Sequence, residues 1–275
     1  TKEIAGPRTI KTVYLVSSQK FSNDNQLLIV FSDISKLKTL EKMREDFIGN
    51  VSHELRTPIS VIKANSETLL STKLIKDENA INFTKAIQSQ SERMATIVNE
   101  LLSISSMESG DYPISLDKLN IKNIVDSAIK ELNPMTESSN IKLVNKISDI
   151  THIIGDESAI KIIISNYITN AIKHSPDDEI IEIDNEKIDK DFCRIKVIDN
   201  GIGIAKKYRE RVFERFFRVD KGRSKKIGGT GLGLSISKNL ALMMGYSVGV
   251  ESNEPKGSIF YIDVKIHQET SKEVA

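Results

Sequence analysis

The stretch FIGNVSHELRTP, residues 47–58, decides how the first part of the chain folds. At about 100° of turn per residue, Phe47, Val51 and Leu55 fall within about 80° of one another and form one apolar stripe. His53 falls on the opposite side of the same helix. The stretch therefore predicts an amphipathic helix that buries one side and exposes an imidazole on the other.

The residues around His53 indicate chemistry rather than packing. An exposed imidazole does not contribute to a hydrophobic core, so a chemical role is the function that its position suggests. Glu54 follows directly, where a carboxylate could hold the ring or remove its proton. Pro58 lacks an N–H and crowds the carbonyl of Glu54, which predicts a bend in the helix. A surface His without a function is the alternative.

Composition excludes several classes of protein. Lysine and arginine number 39 against 38 aspartates and glutamates, so no overall charge favours nucleic acid or an anionic membrane. Cys193 is the only cysteine, which excludes an internal disulfide and is typical of a reducing compartment. No apolar run approaches the ~20 residues that span a bilayer. The length of 275 residues predicts about two domains.

Two long helices are predicted next to each other. The first runs from about Ser35 to Leu70, and the polar residues 71–79 form the turn. The second repeats its core positions at alternating spacings of four and three until Gly110 stops it. These positions are Phe83, Ile87, Gln90, Met94, Ile97, Leu101 and Ile104. Two helices with such narrow stripes cannot cover each other, so pairing with a second copy predicts a homodimeric four-helix bundle.

The residues before the first helix predict a β-hairpin. Residues 10–16 and 26–31 are rich in strand-forming residues, and a good turn sequence separates them at 22–25. The pattern resembles the last two strands of a PAS sensor domain, within a first segment of residues 1–35. A plain hairpin packed on the next helix is the alternative, because so short a segment has no core of its own.

The second part of the chain, from residue 111, mixes helices and strands. Helices are predicted over 120–137 and 156–174. Strands are predicted over five shorter segments: 141–147, 180–183, 194–198, 246–251 and 258–265. Helices combined with antiparallel strands in this order predict an α/β sandwich.

Three polar residues of the 156–174 helix face the same way. Asn166, Asn170 and Lys173 lie at i, i+4 and i+7. Two amide carbonyls and one cation suit a hydrated Mg²⁺ and the phosphates that accompany it, because Mg²⁺ keeps most of its waters and takes few protein ligands. A polar helix surface is the alternative.

Two glycine-rich segments complete the pattern. The first, DNGIG at 199–203, follows a predicted strand, where the Asp and the backbone could approach the edge of a flat ring. A simple turn is the alternative. The second, GGTGLGLS at 228–235, opens a helix whose N–H groups could bind phosphate oxygens. It is not a P-loop, because Leu234 stands where that motif needs Lys.

Taken together, these motifs resemble those of the sensor histidine kinases, in the order expected for that family, over about residues 36–266. The matching segments are 52–58 (phosphoacceptor box), 166–174 (N box), 199–203 (Asp-Gly box), 212–218 (F box), 228–235 (ATP lid) and 257–258 (last glycine box). The resemblance implies a dimerisation and histidine phosphotransfer domain over 36–110. It also implies a catalytic domain with the Bergerat-type ATP-binding fold over 111–267, followed by a tail over 268–275.

The resemblance implies roles for the residues of the first box. His53 would accept the γ-phosphoryl group of ATP, and Glu54 would act as a base or orient the ring. The phosphate would then pass to an aspartate on the receiver domain of a response regulator. The spacing from Glu54 to Thr57 resembles the form in which the Thr positions water to dephosphorylate that regulator, so phosphatase activity is a further hypothesis.

The resemblance also implies a nucleotide site, with ATP and Mg²⁺ as cofactors. Asn170, supported by Asn166, would hold Mg²⁺, while Lys173 and Arg218 would contact phosphate. Asp199 would accept a hydrogen bond from the adenine amino group. The other candidate nucleotide-binding residues are His174 (where the family often has Tyr), Gly201, Gly203, Gly229, Thr230, Gly231, Leu232 and Gly233.

We therefore expect an ATP-dependent protein-histidine kinase with a second copy and a receiver domain as partners, and no nucleic acid partner. The chain starts with Thr1 rather than Met, so we expect a piece of a longer protein. Its expected location is the cytoplasm, which includes the cytoplasmic portion of a membrane-anchored sensor. Two alternatives remain: an ATPase clamp similar to DNA gyrase or mismatch-repair proteins, and a catalytically silent dimeric signalling scaffold.

Overall fold

The computed structural model describes residues 2–5, 12–20, 27–71, 78–137, 139–148, 152–219 and 229–267. Contacts divide the chain into two compact units, residues 1–91 and 92–275. The last part of the second long helix therefore belongs to the second unit. The predicted turn at 22–25, most of the turn at 71–79, Gly228 and the tail at 268–275 lie outside the described residues.

A three-stranded antiparallel sheet opens the first unit. Its strands are β1 (Lys2–Ala5), β2 (Val13–Lys20) and β3 (Leu27–Asp33), in the order β1-β2-β3. The predicted hairpin is present as β2 and β3, and β1 is a further strand that the sequence pattern did not predict. Asp33 Oδ1 accepts hydrogen bonds from the backbone N–H (2.9 Å) and the hydroxyl (2.6 Å) of Ser35, which ties β3 to the following helix.

Two long helices follow, α1 (Ser35–Ser71) and α2 (Glu78–Ser109), close to their predicted limits. The helix α1 continues through Pro58. Val51 and Leu55 are half-buried and Thr57 is exposed, as the predicted stripe requires. None of the described helices combines the length and the hydropathy needed to cross a bilayer.

The second unit contains three further helices and seven strands within its described residues. The helices are α3 (Ile121–Leu132), α4 (Glu157–His174) and α5 (Gly233–Met243). The strands are β4 (Asp117–Asn120), β5 (Lys142–Asn145), β6 (His152–Gly155), β7 (Ile180–Lys187), β8 (Phe192–Asp199), β9 (Ser247–Ser252) and β10 (Ser258–Lys265).

Five of these strands form a mixed sheet in the order β5-β7-β8-β10-β9, on which the three helices pack. The strands β5 and β7 are parallel and the other neighbours are antiparallel. A small second sheet pairs β4 with β6. The predicted arrangement, a helical region followed by an α/β sandwich, is therefore confirmed.

The core of the second unit lies between the large sheet and its helices. Side chains alternate between buried and less buried along β8 and β10, so one face of each strand meets the helices. Tyr167 of α4 is fully buried and stacks on Phe260, with ring centroids 5.4 Å apart. Its hydroxyl donates a hydrogen bond to the Tyr261 carbonyl oxygen (3.3 Å). These contacts fix the rotation of α4 about its axis.

The last turns of α2 belong to this same core. Ile104 is fully buried and Met107 is 9 % exposed, and both lie in the hydrophobic cluster of the second unit. Glu108 forms an ion pair with Arg215. The end of α2 is therefore held on the second unit by apolar packing and by a charge pair.

Two secondary-structure predictions were inaccurate. The helix predicted over 120–137 ends at Leu132 and continues as a short 3-10 helix over Asn133–Met135. Pro134 explains the change, because it has no N–H to continue the α-helical hydrogen bonds. The strands β4 and β6, of four residues each, were missed.

Candidate nucleotide-binding site

The polar face of α4 lies beside its buried face. Tyr167 points into the core, which places Asn170 and Lys173 on the flank of the helix, where both are half-buried. The amide of Asn170 has no hydrogen-bond partner within the described part of the chain. A half-buried amide without a partner is available to a ligand.

Asn166 connects α4 to the start of α5. Its Nδ2 donates to the Gly233 carbonyl oxygen (3.0 Å) and to the Ser237 hydroxyl oxygen (3.1 Å). The Ser237 hydroxyl in turn donates to the Gly233 carbonyl oxygen (3.0 Å). Both amide hydrogens of Asn166 are thus used, which fixes the orientation of the amide and leaves Oδ1 as its acceptor.

Asp199 ends β8 as a buried carboxylate, 3 % exposed. Its Oδ1 accepts hydrogen bonds from the backbone N–H groups of Gly201 (2.8 Å) and Ser258 (3.1 Å). Burial raises the pKa of Asp199, and these two hydrogen bonds lower it. Its Oδ2 has no hydrogen-bond partner among the described residues, so it can accept a hydrogen bond from a ligand.

Two close approaches of the backbone require glycine around Asp199. A Cβ at Gly201 would lie 2.6 Å from the His174 carbonyl oxygen, at the end of α4. A Cβ at Gly257 would overlap the Asp199 carbonyl oxygen. Any side chain at either position would therefore displace backbone atoms, and the carboxylate with them.

Hydrogen bonds between distant segments hold the loop after β8. The Asn253 amide donates to the Asp199 carbonyl oxygen (2.9 Å) and to Asn200 Oδ1 (3.1 Å). The Asn200 amide donates to Glu179 Oε2 (3.0 Å). The loop is therefore tied both to the segment before β7 and to the turn between β9 and β10.

Residues of the predicted F box contact the glycine-rich segment. Arg218 Nη1 donates to the Gly229 carbonyl oxygen (3.0 Å). The Phe216 N–H donates to the Gly231 carbonyl oxygen (2.8 Å). The structure thus brings Arg218 to the segment that the sequence predicted as a phosphate-binding lid.

The start of α5 presents backbone N–H groups next to the glycine-rich segment. The Thr230 hydroxyl oxygen accepts a hydrogen bond from the Leu232 N–H (3.2 Å), and the Leu232 side chain is fully buried. The helix begins at Gly233, and no side chain of the described residues caps it. Uncapped N–H groups at a helix start favour an anionic ligand.

Positively charged groups gather at the C-terminal end of α4. Desolvation lowers the pKa of Lys173, the nearby Glu100 carboxylate raises it, and the charge of Arg218 lowers it. Desolvation also lowers the pKa of His174, and the charges of Lys173 and Arg218 lower it further. Cations that lower one another's pKa lie close together, which suits a polyanionic ligand such as a triphosphate.

The three candidate residues of the phosphoacceptor box lie within about two turns of α1. The backbone at His53 is helical, and its side chain lies outside what the structure describes. Glu54 is half-buried and Thr57 is exposed.

Two family models match the chain over most of its length. Residues 43–110 match HisKA, the His Kinase A (phospho-acceptor) domain. Residues 155–268 match HATPase_c, the histidine kinase-, DNA gyrase B- and HSP90-like ATPase. The chain belongs to the sensor histidine kinase family.

Curated members of this family are similar over most of this chain. It is 34 % identical to the sensor-like histidine kinase SenX3 of Mycolicibacterium smegmatis, over 88 % of this chain and 63 % of the relative. It is 32 % identical to the sensor histidine kinase WalK of Bacillus subtilis, over 94 % of this chain and 43 % of the relative. It is 33 % identical to the phosphate regulon sensor protein PhoR of Pseudomonas aeruginosa, over 87 % of this chain and 54 % of the relative. The chain therefore spans about half of the length of these relatives.

Solved structures of histidine kinases have the same fold. The histidine kinase AdeS of Acinetobacter baumannii superposes with a TM-score of 0.64 at 22 % identity, covering 78 % of this chain and 98 % of that chain. The histidine kinase ThkA, in complex with the response regulator protein TrrA, superposes with a TM-score of 0.65 at 20 % identity, covering 93 % and 75 %.

Sequence reasoning missed three residues that the structure places at the candidate site: Glu100, Ser237 and Asn253. Burial raises the pKa of Glu100, whereas hydrogen bonding from Thr230 and the charge of Lys173 lower it. One weak indication that Glu100 is partly buried was present in the sequence: it directly precedes Leu101, a predicted core position of the second helix. Asn253 gave no signal, since its partners lie more than 50 residues earlier in the chain.

Proposed function

We propose that this chain is the kinase core of a two-component sensor. It would use ATP to phosphorylate His53 and pass the phosphoryl group to an aspartate on a response regulator receiver domain. The observation that carries the proposal is the buried carboxylate of Asp199, held by two backbone N–H groups with one oxygen left for a ligand. Membership of the sensor histidine kinase family supports the same activity.

The base of the nucleotide is recognised by Asp199 in this proposal. An amino group in the plane of a purine would donate to Oδ2, while Oδ1 stays bonded to the loop. Gly201 keeps the backbone flat against the end of α4, because it carries no Cβ. His174, Gly203 and the loop that Asn253 holds complete this end of the site.

The phosphates lie at the other end, among cations and uncapped N–H groups. Lys173 and Arg218 provide positive charge, and the segment from Gly229 to Gly233 provides backbone donors. Asn170, with its amide uncommitted, and Asn166 Oδ1 are the side chains that would hold Mg²⁺ or its waters. When bound, Mg²⁺ would neutralise charge on the phosphates.

The proposed chemistry joins the two domains of the kinase. A ring nitrogen of His53 attacks the γ-phosphorus, a nitrogen–phosphorus bond forms, and the bond to the bridging oxygen breaks to release ADP. Glu54 takes the ring proton or holds the ring in the attacking orientation. An aspartate of the receiver domain then takes the phosphoryl group from His53.

Two partners follow from the proposal. A second copy would cover apolar side chains that α2 leaves exposed, namely Ile81 (56 %), Val98 (43 %) and Leu102 (63 %). A response regulator would supply the phosphoryl acceptor. The cytoplasmic location, the membrane anchor in a longer parent and the domain limits at 35, 110 and 267 stay predictions.

The test is incubation of the chain with γ-labelled ATP and Mg²⁺. We expect acid-labile label on the wild type and on His267→Gln, which alters an unrelated imidazole, and none on His53→Gln. Release of ADP without label on the protein would favour the ATPase clamp instead. A chain that binds no ATP would favour the silent scaffold.

A further inference from the structure

The carboxylate of Glu100, on α2, lies beside the phosphate end of the proposed site. Burial raises the pKa of this carboxylate, whereas the Thr230 side chain and the charge of Lys173 lower it, so both groups lie near it. The Oε2 atom is buried and has no hydrogen-bond partner among the described residues. Both groups that favour the ionised carboxylate are therefore groups that the proposed function assigns to the nucleotide.

The part of α2 that carries Glu100 is held against the second unit. Ile104 and Met107, on the next two turns, are buried in its hydrophobic core. Glu108 forms an ion pair with Arg215, a residue of the predicted F box. As long as these contacts persist, Glu100 remains next to Lys173.

The position of Glu100 is costly to the chain without nucleotide. A buried carboxylate oxygen without a partner loses hydration and gains no hydrogen bond in return. A triphosphate offers more oxygens and more charge to the same cation. Phosphate and carboxylate cannot share the place, because like charges at short range repel each other.

We propose that Glu100 is an internal competitor for the phosphate groups of the nucleotide. Its carboxylate lies near Lys173 and Thr230 in the nucleotide-free chain, and a nucleoside triphosphate must displace it to bind. The proposal rests on the proposed function, since it requires a nucleotide at this site. By reciprocity, anything that holds this part of α2 in place weakens nucleotide binding, and nucleotide binding weakens the hold on α2.

The test measures two ligands on the whole chain by isothermal titration calorimetry. The first is adenylyl imidodiphosphate, a non-hydrolysable ATP analogue, with Mg²⁺, and the second is adenosine. Glu100→Gln removes the charge and keeps the shape of the side chain. It should tighten binding of the analogue about tenfold and leave adenosine binding within about twofold, because adenosine has no phosphate.

A matched control separates this effect from a general change of charge. Glu137→Gln removes the same charge from an exposed position and should leave both affinities as in the wild type. Thermal unfolding checks that each variant is folded. If Glu100→Gln does not fold, Glu100→Ala removes the carboxylate by a different substitution. It should likewise bind the analogue more tightly than the wild type and bind adenosine about equally.

Three results would overturn the proposal. The first is unchanged or weaker binding of the analogue by Glu100→Gln, because removing the charge of a competing carboxylate must strengthen phosphate binding. The second is equal tightening of adenosine, which would indicate a general opening of the site. The third is a wild type that binds neither ligand. That result alone also removes the proposed function, so the two failures are distinguishable.

Discussion

The Oδ1 atom of Asp199 lies 2.8 Å from the backbone nitrogen of Gly201 and accepts its hydrogen bond. The bond folds the loop back onto the carboxylate that ends β8. The two carboxylate oxygens therefore have different roles: Oδ1 accepts hydrogen bonds from the backbone, and Oδ2 remains available to a ligand. The order Asp-x-Gly is thus a geometric requirement, in which the glycine both bonds the carboxylate and passes close to the end of α4.

We expect Asp199→Asn to weaken adenosine binding about ten- to hundredfold. The Asn side chain can still accept from the Gly201 N–H through its oxygen. Its amide then turns a donor toward the amino group of the base, where an acceptor is required. Calorimetric titration with adenosine measures the loss, and an affinity equal to that of the wild type would remove Asp199 from base recognition.

Gly201→Ala should lower the free energy of unfolding by about 1–3 kcal/mol, because the new Cβ forces backbone atoms apart. The clash is with the His174 carbonyl oxygen, which belongs to a helix end and cannot rotate away. Gly155→Ala is the comparison, since its Cβ would meet a side-chain carbon of Ile160 at 3.3 Å instead of a backbone atom. Urea denaturation measures both variants. Equal losses of stability would show that the approach to α4 is not the constraint.

Asn170→Ala should separate the metal-dependent part of binding from base recognition. We expect adenosine affinity to stay within about twofold, while autophosphorylation with ATP and Mg²⁺ falls about tenfold or more. Asn123→Ala, an exposed amide on α3, is the control and should behave as the wild type. Loss of adenosine binding by Asn170→Ala would mean that the amide supports the fold instead of the metal.

The elements with strong periodicity were the ones that the sequence predicted well. The helix α1 was expected from Ser35 to Leu70 and runs over Ser35–Ser71, because its stripe extends over many turns. Three strands of four residues each, β1, β4 and β6, were not predicted. Their stability comes from partners elsewhere in the chain, which a local pattern does not contain.

The residues of the candidate site also fall into two groups, those in local motifs and those whose partners are distant in the sequence. Asn170, Asp199 and the glycines could be predicted because each motif is local and its spacing has a chemical reason, and their roles stay predictions. Glu100 and Asn253 act through partners far away in sequence, and Asn253 reaches Asp199 across 54 residues. Contacts of this kind follow from the packed fold, so one sequence alone does not predict them.

Thr57→Ala should lower dephosphorylation of the phosphorylated receiver domain while autophosphorylation of His53 persists. The reason is that an exposed hydroxyl one turn after His53 can orient an attacking water, whereas a methyl group cannot. Ser60→Ala is the control, because it removes another exposed hydroxyl of the same helix that lies outside the phosphoacceptor box. Release of phosphate from the receiver domain is measured over time. A Thr57→Ala rate equal to that of the wild type would refute the phosphatase hypothesis.

The stability of the second unit should depend on the protonation of His174. Desolvation and the charges of Lys173 and Arg218 hold its pKa below the ordinary value of 6.5. The folded chain therefore binds this proton less readily than the unfolded chain. The stability that neutral His174 contributes is complete above that value and is lost as the pH falls below it.

His174→Tyr removes this titration and keeps an aromatic ring at the position. Urea denaturation of both proteins at pH 7.5 and at pH 5.5 compares the loss of stability on acidification. We expect the wild type to lose more than the variant, because in acid only the wild type gains a proton at residue 174 when unfolding separates the imidazole from the charges of Lys173 and Arg218. Equal losses in the two proteins would show that His174 titrates as freely in the folded chain as in the unfolded one.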